Sequence, residues 1–477
     1  MVLRHGSFFL SKNLLRIKSN NKFSKSIRHF VRQNPPVPKL TPDEVTKILR
    51  TNEFTKEFED NFSVKSYDTN QLASNNPIED MRAEARCKIT NDFLLGIFDG
   101  HGSNACSQVV SKRLLYYIAA SLLPKSTLQN VIETQKSPME VKNTLLETFN
   151  DNLNLVSELE KLYHKSYLTF IKELTKSNKS DLEVEVALEH AFLHLDQDLS
   201  TEAFEKLERK ELARTLSVAM SGSVAIVARI DGRDLHVANV GDCQAVLGVH
   251  SENEGWSALP MSIEHNVDNR EEVDRILSEH PEREKNTVIK MERLLGQLAP
   301  LRALGDFRYK WSRDIMNKII VPYFSETAVP PNYYTPPYLT ARPQTTYHKL
   351  TPKDKFLILA SDGLWDLMTP LEAVQLVGEH MTSKVAMNPL SVPFDDMKLS
   401  EINNLLIQRK ESLKKMPLDD NAATHLLRNA LGGTEYGIDN LRLSKFLTLP
   451  NEVVRIFRDD ITITVVYFNS EILQNYT

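Results

Sequence analysis

The feature that most limits how this chain can fold is a set of short apolar, β-branched runs that each adjoin an aspartate. Runs of this kind, bounded by Gly or Asp, are typical of buried strands. The aspartates beside four of these runs are Asp99, Asp242, Asp362 and Asp459. An Asp just outside a buried strand is held by a rigid element while its carboxylate can still reach a cleft.

The periodicity of apolar residues predicts an α+β fold. Strands are predicted at 93–98, 223–229, 234–239, 356–360 and 461–467. Asp231-Gly232 joins the second and third of these in a predicted hairpin, because Asp-Gly supplies the positive φ angles of a tight turn. Helices with a period near 3.6 residues are predicted at 107–122, 182–199, 271–280 and 422–430. The irregular order of strands and helices favours sheets packed on each other and covered by helices.

The first 40 residues differ in kind from the rest. No Asp or Glu occurs before Asp43, and basic residues alternate with Phe, Leu and Ser. This composition is typical of a mitochondrial targeting peptide, which predicts a matrix location. A disordered basic tail is the alternative. Residues 41–477 are predicted to form a single domain with insertions at about 125–180 and 370–455, and the Pro- and Tyr-rich segment 330–343 is predicted to be an ordered loop.

Composition excludes several classes of protein. With 58 Lys and Arg against 63 Asp and Glu, the net charge of −5 argues against general nucleic-acid binding. The three cysteines are widely separated, which fits neither a disulfide framework nor a zinc site. No apolar run reaches the roughly 20 residues that a membrane-spanning helix needs.

Several carboxylates that converge without a cation would repel one another and raise each other's pKa. Magnesium or manganese relieves such repulsion through oxygen ligation. Each Asp-Gly motif taken singly is more often structural, because Asp-Gly after a strand is a common turn. Glu79-Asp80 could be a solvated pair, and His101 could equally bond the backbone of its turn. The order of the motifs along the chain decides between these interpretations.

That order resembles the metal-dependent protein serine/threonine phosphatases of type 2C over about residues 62–468. The motifs that carry the resemblance are Glu79-Asp80, Phe98-Asp99-Gly100-His101-Gly102, Ser221-Gly222-Ser223, Asn239-Val240-Gly241-Asp242, Arg302-Ala303-Leu304-Gly305-Asp306, the stretch from Ala360 to Asp366, and Asp459-Asp460-Ile461-Thr462. Stretches 70–75, 105–108, 333–340 and 421–426 further resemble the pyruvate dehydrogenase phosphatase subfamily.

The resemblance implies a central β-sandwich of two antiparallel sheets flanked by helices, in four layers, with two metal ions, Mg²⁺ or Mn²⁺, at one end. By motif, the metal ligands are Asp99, shared by both ions, then Asp362 and Asp459 on one, and Glu79 with the carbonyl of Gly100 on the other. Asp80 would orient bound water, and Asp242 with Asp362 and Asp366 would form a third metal site. His101 matches the general acid that protonates the leaving seryl oxygen.

The implied activity is dephosphorylation, and so activation, of the E1 component of pyruvate dehydrogenase by two-metal activation of water. The implied partners are the lipoyl domain of the E2 acetyltransferase and a regulatory subunit, with Ca²⁺ at the partner interface. Two alternatives stay open. One is a mitochondrial phosphatase for another substrate, such as the branched-chain keto acid dehydrogenase, and the other is an inert scaffold.

One departure from the family pattern concerns substrate binding. Many type 2C enzymes have an Arg four residues before the metal-binding Glu, where it grips the substrate phosphate, and Asn75 stands there in this chain. A neutral amide cannot supply the charged clamp of a guanidinium. We therefore expect weak intrinsic phosphate binding, with affinity recovered by docking. Cys243-Gln244 and Leu301 also depart from the pattern and are interpreted as packing variation.

Overall fold

The structure is a computed structural model, and it describes residues 39–59, 61–134, 138–149, 159–176, 182–205, 209–387, 398–414 and 417–475. The predicted targeting segment lies outside the described residues, apart from Lys39 and Leu40. No helix in these ranges is long and apolar enough to cross a membrane.

Two antiparallel sheets form the centre of the molecule. The strands are β1 Phe54–Glu57, β2 Val64–Leu72, β3 Met81–Cys87, β4 Phe93–His101, β5 Leu146–Thr148, β6 Gly222–Asp231, β7 Asp234–Val240, β8 Gln244–Ser251, β9 Gly255–Pro260, β10 Ile289–Lys290, β11 Arg293–Leu294, β12 Leu304–Gly305, β13 Gln344–Lys349, β14 Asp354–Ala360, β15 Gly433–Thr434, β16 Gly437–Ile438 and β17 Ile461–Phe468. The first sheet has the order β1-β2-β17-β14-β8-β9. The second has the order β13-β7-β6-β4-β3-β5, with β12 paired to β6, and β10-β11 and β15-β16 are separate hairpins.

Helices cover the outer face of each sheet. The helices are α1 Pro42–Leu49, α2 Ala105–Leu122, α3 Lys125–Thr134, α4 Pro138–Leu145, α5 Glu160–Lys176, α6 Val184–Glu202, α7 Arg209–Met220, α8 Arg270–Glu279, α9 Lys285–Val288, α10 Arg313–Ile315, α11 Val321–Phe324, α12 Asp362–Trp365, α13 Pro370–Met387, α14 Leu399–Lys414, α15 Ala422–Gly432, α16 Asn440–Leu447, α17 Asn451–Val454 and α18 Ser470–Asn475.

Three apolar clusters define the four layers. One lies between the two sheets, a second joins the second sheet to α2, α5 and α6, and a third joins the first sheet to α13 and α15. Strand β4 illustrates how one strand contributes to two clusters, because its side chains alternate between the two faces of the sheet. Phe93, Leu95 and Ile97 enter the cluster between the sheets, while Leu94 and Phe98 enter the cluster with the helices. A strand buried on both faces needs a continuous apolar run, which is the pattern seen in the sequence.

The predicted elements are confirmed with small differences at their ends. The five predicted strands correspond to β4, β6, β7, β14 and β17, and the four helices to α2, α6, α8 and α15. The Asp231-Gly232 hairpin joins β6 and β7, with Gly232 at φ +57°. Residues 330–343 contain no helix or strand. Two details differ: Asp99 lies within β4, paired with Val224, and Leu146–Thr148 of the first predicted insertion extends the second sheet.

Candidate metal centre

The four strand-associated aspartates meet at one end of the sandwich, because two come from each sheet. Asp99 is two residues from the end of β4 and Asp242 follows β7. Asp362 begins α12 directly after β14, and Asp459 precedes β17. All four line one pocket of about 420 Å³. The sequence prediction that these carboxylates share a cleft is thus consistent with the structure.

The carboxylates affect one another's protonation strongly. Burial raises the pKa of Asp99 well above its ordinary value, and the nearby Asp80, Asp362, Asp242 and Asp459 raise it further. Burial and then Asp242, Asp366 and Asp459 do the same to Asp362. Burial raises the pKa of Asp242 to about 6. A cation bound among these carboxylates would favour their ionised forms and so lower their pKa values.

Glu79 reaches the same end of the sandwich from the loop before β3. The backbone N–H of Glu79 donates to Asp460 Oδ2 at 2.8 Å, and Ser107 Oγ donates to its carbonyl at 2.6 Å. Gly100 is required here, because a Cβ at that position would lie 2.5 Å from the Glu79 carbonyl oxygen. The loop of Glu79 therefore lies directly against the strand of Asp99.

The donor set fits a hard divalent cation. Glu79 Oε2 is buried and receives no hydrogen bond from the described residues, and its nearest cationic neighbour is Arg455 Nη2 at 3.2 Å. Carboxylate oxygens and a backbone carbonyl are the ligands that magnesium and manganese prefer. No three His, Cys, Asp or Glu side chains in the described ranges already converge as a formed metal site. The fold thus places the four aspartates around one pocket, although in the described residues no three such side chains are close enough together to form a metal site.

His101 and Asp306 form a close pair on the wall of the same pocket. His101 Nε2 contacts Asp306 Oδ2, and the Asp306 backbone N–H donates to the carbonyl of Ser221. Gly222 makes room for the pair, because a Cβ there would lie 2.1 Å from His101 Nε2. Burial alone would lower the pKa of His101, but Asp306 outweighs burial and raises it. The pair therefore favours a protonated imidazole at the pocket.

Asp80 and Asp366 neighbour the group but do not line the pocket. Asp80 is buried and accepts a hydrogen bond from Ser361 Oγ at 2.7 Å, and burial with Asp460 raises its pKa to about 7. Asp366 remains accessible to solvent, but the protein packed around its carboxylate, together with Asp459, raises its pKa. Glu264, which the sequence did not single out, lies close enough to Asp242 that burial and this neighbour raise its pKa to about 7.

Asn75 does not join the pocket lining. Its side-chain amide donates to Asp460 Oδ2 at 2.9 Å and lies 3.5 Å from Asp459 Oδ1, so its N–H groups are already used. Cys243 and Leu301 are completely buried, as expected for packing positions. The three cysteines are free and buried.

Besides Glu264, sequence reasoning missed the roles of three residues at the site. Asp306 closes a motif that was identified, yet its contact with His101 spans 205 residues and has no local signature. Asp460 accepts hydrogen bonds from the backbone N–H groups of Ser74, Asn75 and Glu79, so it fixes the whole loop that carries Glu79. Arg455 lines the pocket beside Glu79. A lone Arg four residues before Asp459 gives no signal in a single sequence.

This geometry agrees with what known proteins show. A sequence profile described as "Protein phosphatase 2C" matches residues 134–409, more than half of the chain. The chain belongs to the protein phosphatase 2C family, whose members are metal-dependent protein phosphatases.

Its relatives match over a longer range than the profile does. The bovine mitochondrial [pyruvate dehydrogenase [acetyl-transferring]]-phosphatase 1 is 45% identical over 454 residues, which is 92% of this chain and 84% of the relative. The human phosphatase 2 of the same name is 42% identical, over 92% of this chain and 85% of the relative. The corresponding enzyme of Saccharomyces cerevisiae is 31% identical, over 84% and 68%.

Proposed function

We propose that this chain removes phosphate from serine residues of the E1 component of the pyruvate dehydrogenase complex, and so activates that complex, in the mitochondrial matrix. The observation that carries the proposal is the group of buried carboxylates around Asp99 beside the His101–Asp306 pair. The substrate and the location are supported by the relatives, whose names state both.

In this proposal the chain's residues divide between holding metals and moving a proton. Glu79, Asp99, Asp362 and Asp459, with the Gly100 carbonyl, would hold two divalent cations, Mg²⁺ or Mn²⁺. Such cations, when bound, would supply an activated water and offset the charge of the phosphate. Asp80 orients water near the ions, and Asp242 with Asp362 and Asp366 is suited to a third ion of lower affinity.

His101 provides the proton for the leaving group. A serine alkoxide is a poor leaving group unless it is protonated as the P–O bond breaks. His101 opens onto the pocket and Asp306 holds its imidazole in one orientation while favouring the charged form. The proton moves from the imidazole to the seryl oxygen, and Asp306 stabilises the orientation in which this transfer occurs.

The proposal also includes docking to the larger complex. Because the Asn75 amide is committed to Asp460, it offers the phosphate no charged clamp, so a partner surface would contribute much of the affinity for a protein substrate. The partners proposed are the E2 lipoyl domain and a regulatory subunit, with Ca²⁺ at the shared interface.

The test offers phosphorylated E1 to the purified protein with Mg²⁺, with and without E2 and Ca²⁺. Phosphate release that increases with E2 and Ca²⁺ is the expected result. Phosphate release at the same rate with and without E2 would contradict the docking proposal. Faster release from phosphorylated branched-chain keto acid dehydrogenase would show that this protein is the preferred substrate. No release from any phosphoserine protein would leave the inert scaffold.

A further inference from the structure

We propose that Arg455 is the residue that grips the substrate phosphate in this chain, in place of the arginine absent at position 75. The inference rests on the proposed phosphatase activity, since it assigns the phosphate contact of that same pocket. Three arginines line the pocket with the carboxylates: Arg293, Arg308 and Arg455.

Two of these arginines are anchored away from the metal ligands. Arg293 Nη1 donates to the Gln297 carbonyl at 3.0 Å, and Arg308 Nη2 donates to Gln297 Oε1 at 2.9 Å. Both therefore belong to the wall formed around Gln297. Arg308 also stacks its guanidinium 5.2 Å from the ring centroid of Tyr309, which holds it further.

Arg455 has a different environment. Its Nη2 lies 3.2 Å from Glu79 Oε2, and its side chain is 55% exposed while that of Glu79 is 11% exposed. One face of the guanidinium thus meets a predicted metal ligand and the rest is open to the pocket. A guanidinium offers five N–H donors in a planar fork that matches phosphate oxygens. The Arg455 guanidinium can therefore contact a phosphate beside Glu79 while it stays next to the Glu79 carboxylate.

Cation binding would free Arg455 for this contact. Arg455 lies 3.2 Å from Glu79, so the two opposite charges pair with each other in the protein alone. When Glu79 shares its charge with a divalent cation, the guanidinium loses its counter-charge and attracts an anion instead. The chain position also fits, because α17 ends at Val454 and holds Arg455 four residues from Asp459.

The test compares Arg455→Ala and Arg455→Lys with Arg270→Ala, which alters an exposed arginine on α8 that does not line the pocket. Binding of inorganic phosphate is measured by calorimetry with Mn²⁺ present, and KM and kcat are measured with p-nitrophenyl phosphate. Loss of a charge-assisted hydrogen bond should weaken phosphate binding and raise KM by about 10- to 100-fold in Arg455→Ala. We expect kcat to change by less than about threefold, partial recovery in Arg455→Lys, and wild-type values in Arg270→Ala.

Three results would overturn the assignment. Phosphate binding within about twofold of wild type in Arg455→Ala would do so, as would a larger loss in Arg293→Ala or Arg308→Ala. Weaker Mn²⁺ binding with unchanged phosphate binding would show that Arg455 serves Glu79 alone. Phosphate calorimetry does not depend on turnover, so a wild-type protein that binds phosphate but releases none from any ester would refute the proposed function while leaving the role of Arg455 measurable. Wild-type protein that binds no phosphate would refute the role itself.

Discussion

Buried charges are treated in opposite ways in two regions of this molecule. In the helical layers, Arg113 binds both oxygens of Glu202 at 2.8 Å, and Arg428 binds both oxygens of Asp419 at 2.6 and 2.7 Å. At the end of the sandwich, Asp99 has acidic neighbours that raise its pKa. A bidentate pair satisfies its charges within the fold, whereas the cluster around Asp99 leaves its charge to be met from outside. The difference separates charges that hold the structure from charges that receive a ligand.

The largest effect should come from removing the central charge. We expect Asp99→Asn to lower phosphatase activity by about 10³-fold or more, because it removes a carboxylate proposed to serve two metals. The free energy of unfolding should stay the same or rise, since one repelling charge is lost. Activity on a phosphoserine peptide and urea unfolding with and without Mn²⁺ measure both effects.

Asp231→Asn is the matched control, because Asp231 also precedes a Gly but pairs with Arg229 at a hairpin. It should keep near-wild-type activity. Asp99→Asn protein that retains normal activity, or that is stabilised by Mn²⁺ as much as the wild type, would refute the metal assignment.

Removing a carboxylate from one of the buried ion pairs should lower stability and leave activity unchanged, which is the opposite of the result expected for Asp99→Asn. Asp419→Asn leaves the buried guanidinium of Arg428 without its counter-charge and should reduce the free energy of unfolding by about 3 kcal/mol. Urea denaturation measures the loss, and kcat per folded molecule should be unchanged. If Asp419→Asn proved neutral for stability while lowering kcat, the division between structural and ligand-receiving charges would be wrong.

The His101–Asp306 pair stands between these two cases, since its charges are paired and yet face the pocket. General acid catalysis contributes about 10²- to 10⁴-fold. Asp306→Asn keeps His101 but removes the partner that orients and charges it, so hydrolysis of a phosphoserine peptide should slow by about 10- to 100-fold, a part of that contribution. Hydrolysis of p-nitrophenyl phosphate, whose leaving group needs no proton, should fall only slightly. Equal losses on both substrates would argue that Asp306 supports the metals or the fold instead of the general acid.

A third kind of buried group, a neutral histidine, should make the free energy of unfolding depend on pH, with a smaller effect than the changes above. Burial, assisted by Arg302, lowers the pKa of His265 to about 4. In the unfolded chain this histidine takes up a proton near pH 6.5, whereas in the folded chain it stays neutral down to about pH 4. The free energy of unfolding should therefore decrease by about 2 kcal/mol as the pH falls from 7 to 5. Urea unfolding at both pH values measures this loss. A His265→Gln variant should show a shallower dependence on pH, and an unchanged dependence would count against this histidine as its source.

The sequence predicts the parts of this molecule whose causes are local. Strands such as β4 and β17 are buried on both faces, so their apolar runs are visible without any knowledge of the fold. Four of the carboxylates proposed to bind metals, Asp99, Asp242, Asp362 and Asp459, are visible because each adjoins such a run. Pairings that depend on distant chain segments are not visible: Asp306 meets His101, and Asp460 meets the loop of Glu79, only after both sheets have formed. The β5 strand within a predicted insertion was missed for the same reason, since its pairing with β3 supplies its structure.

The hydrogen bonds of Asp460 have a consequence for the timing of activity. They join positions 386 residues apart, from Ser74 near β2 to the start of β17. Chains are synthesised from the N-terminus and contacts between distant segments form late. Glu79 and Asp99 are therefore made long before Asp460, which fixes the loop of Glu79, and before Asp459, a proposed metal ligand beside Asp99. On the proposed metal assignment, a chain still emerging from a ribosome would hold most of the described strands but would lack these two carboxylates. Phosphoester hydrolysis would then begin only after β17 has been made and paired.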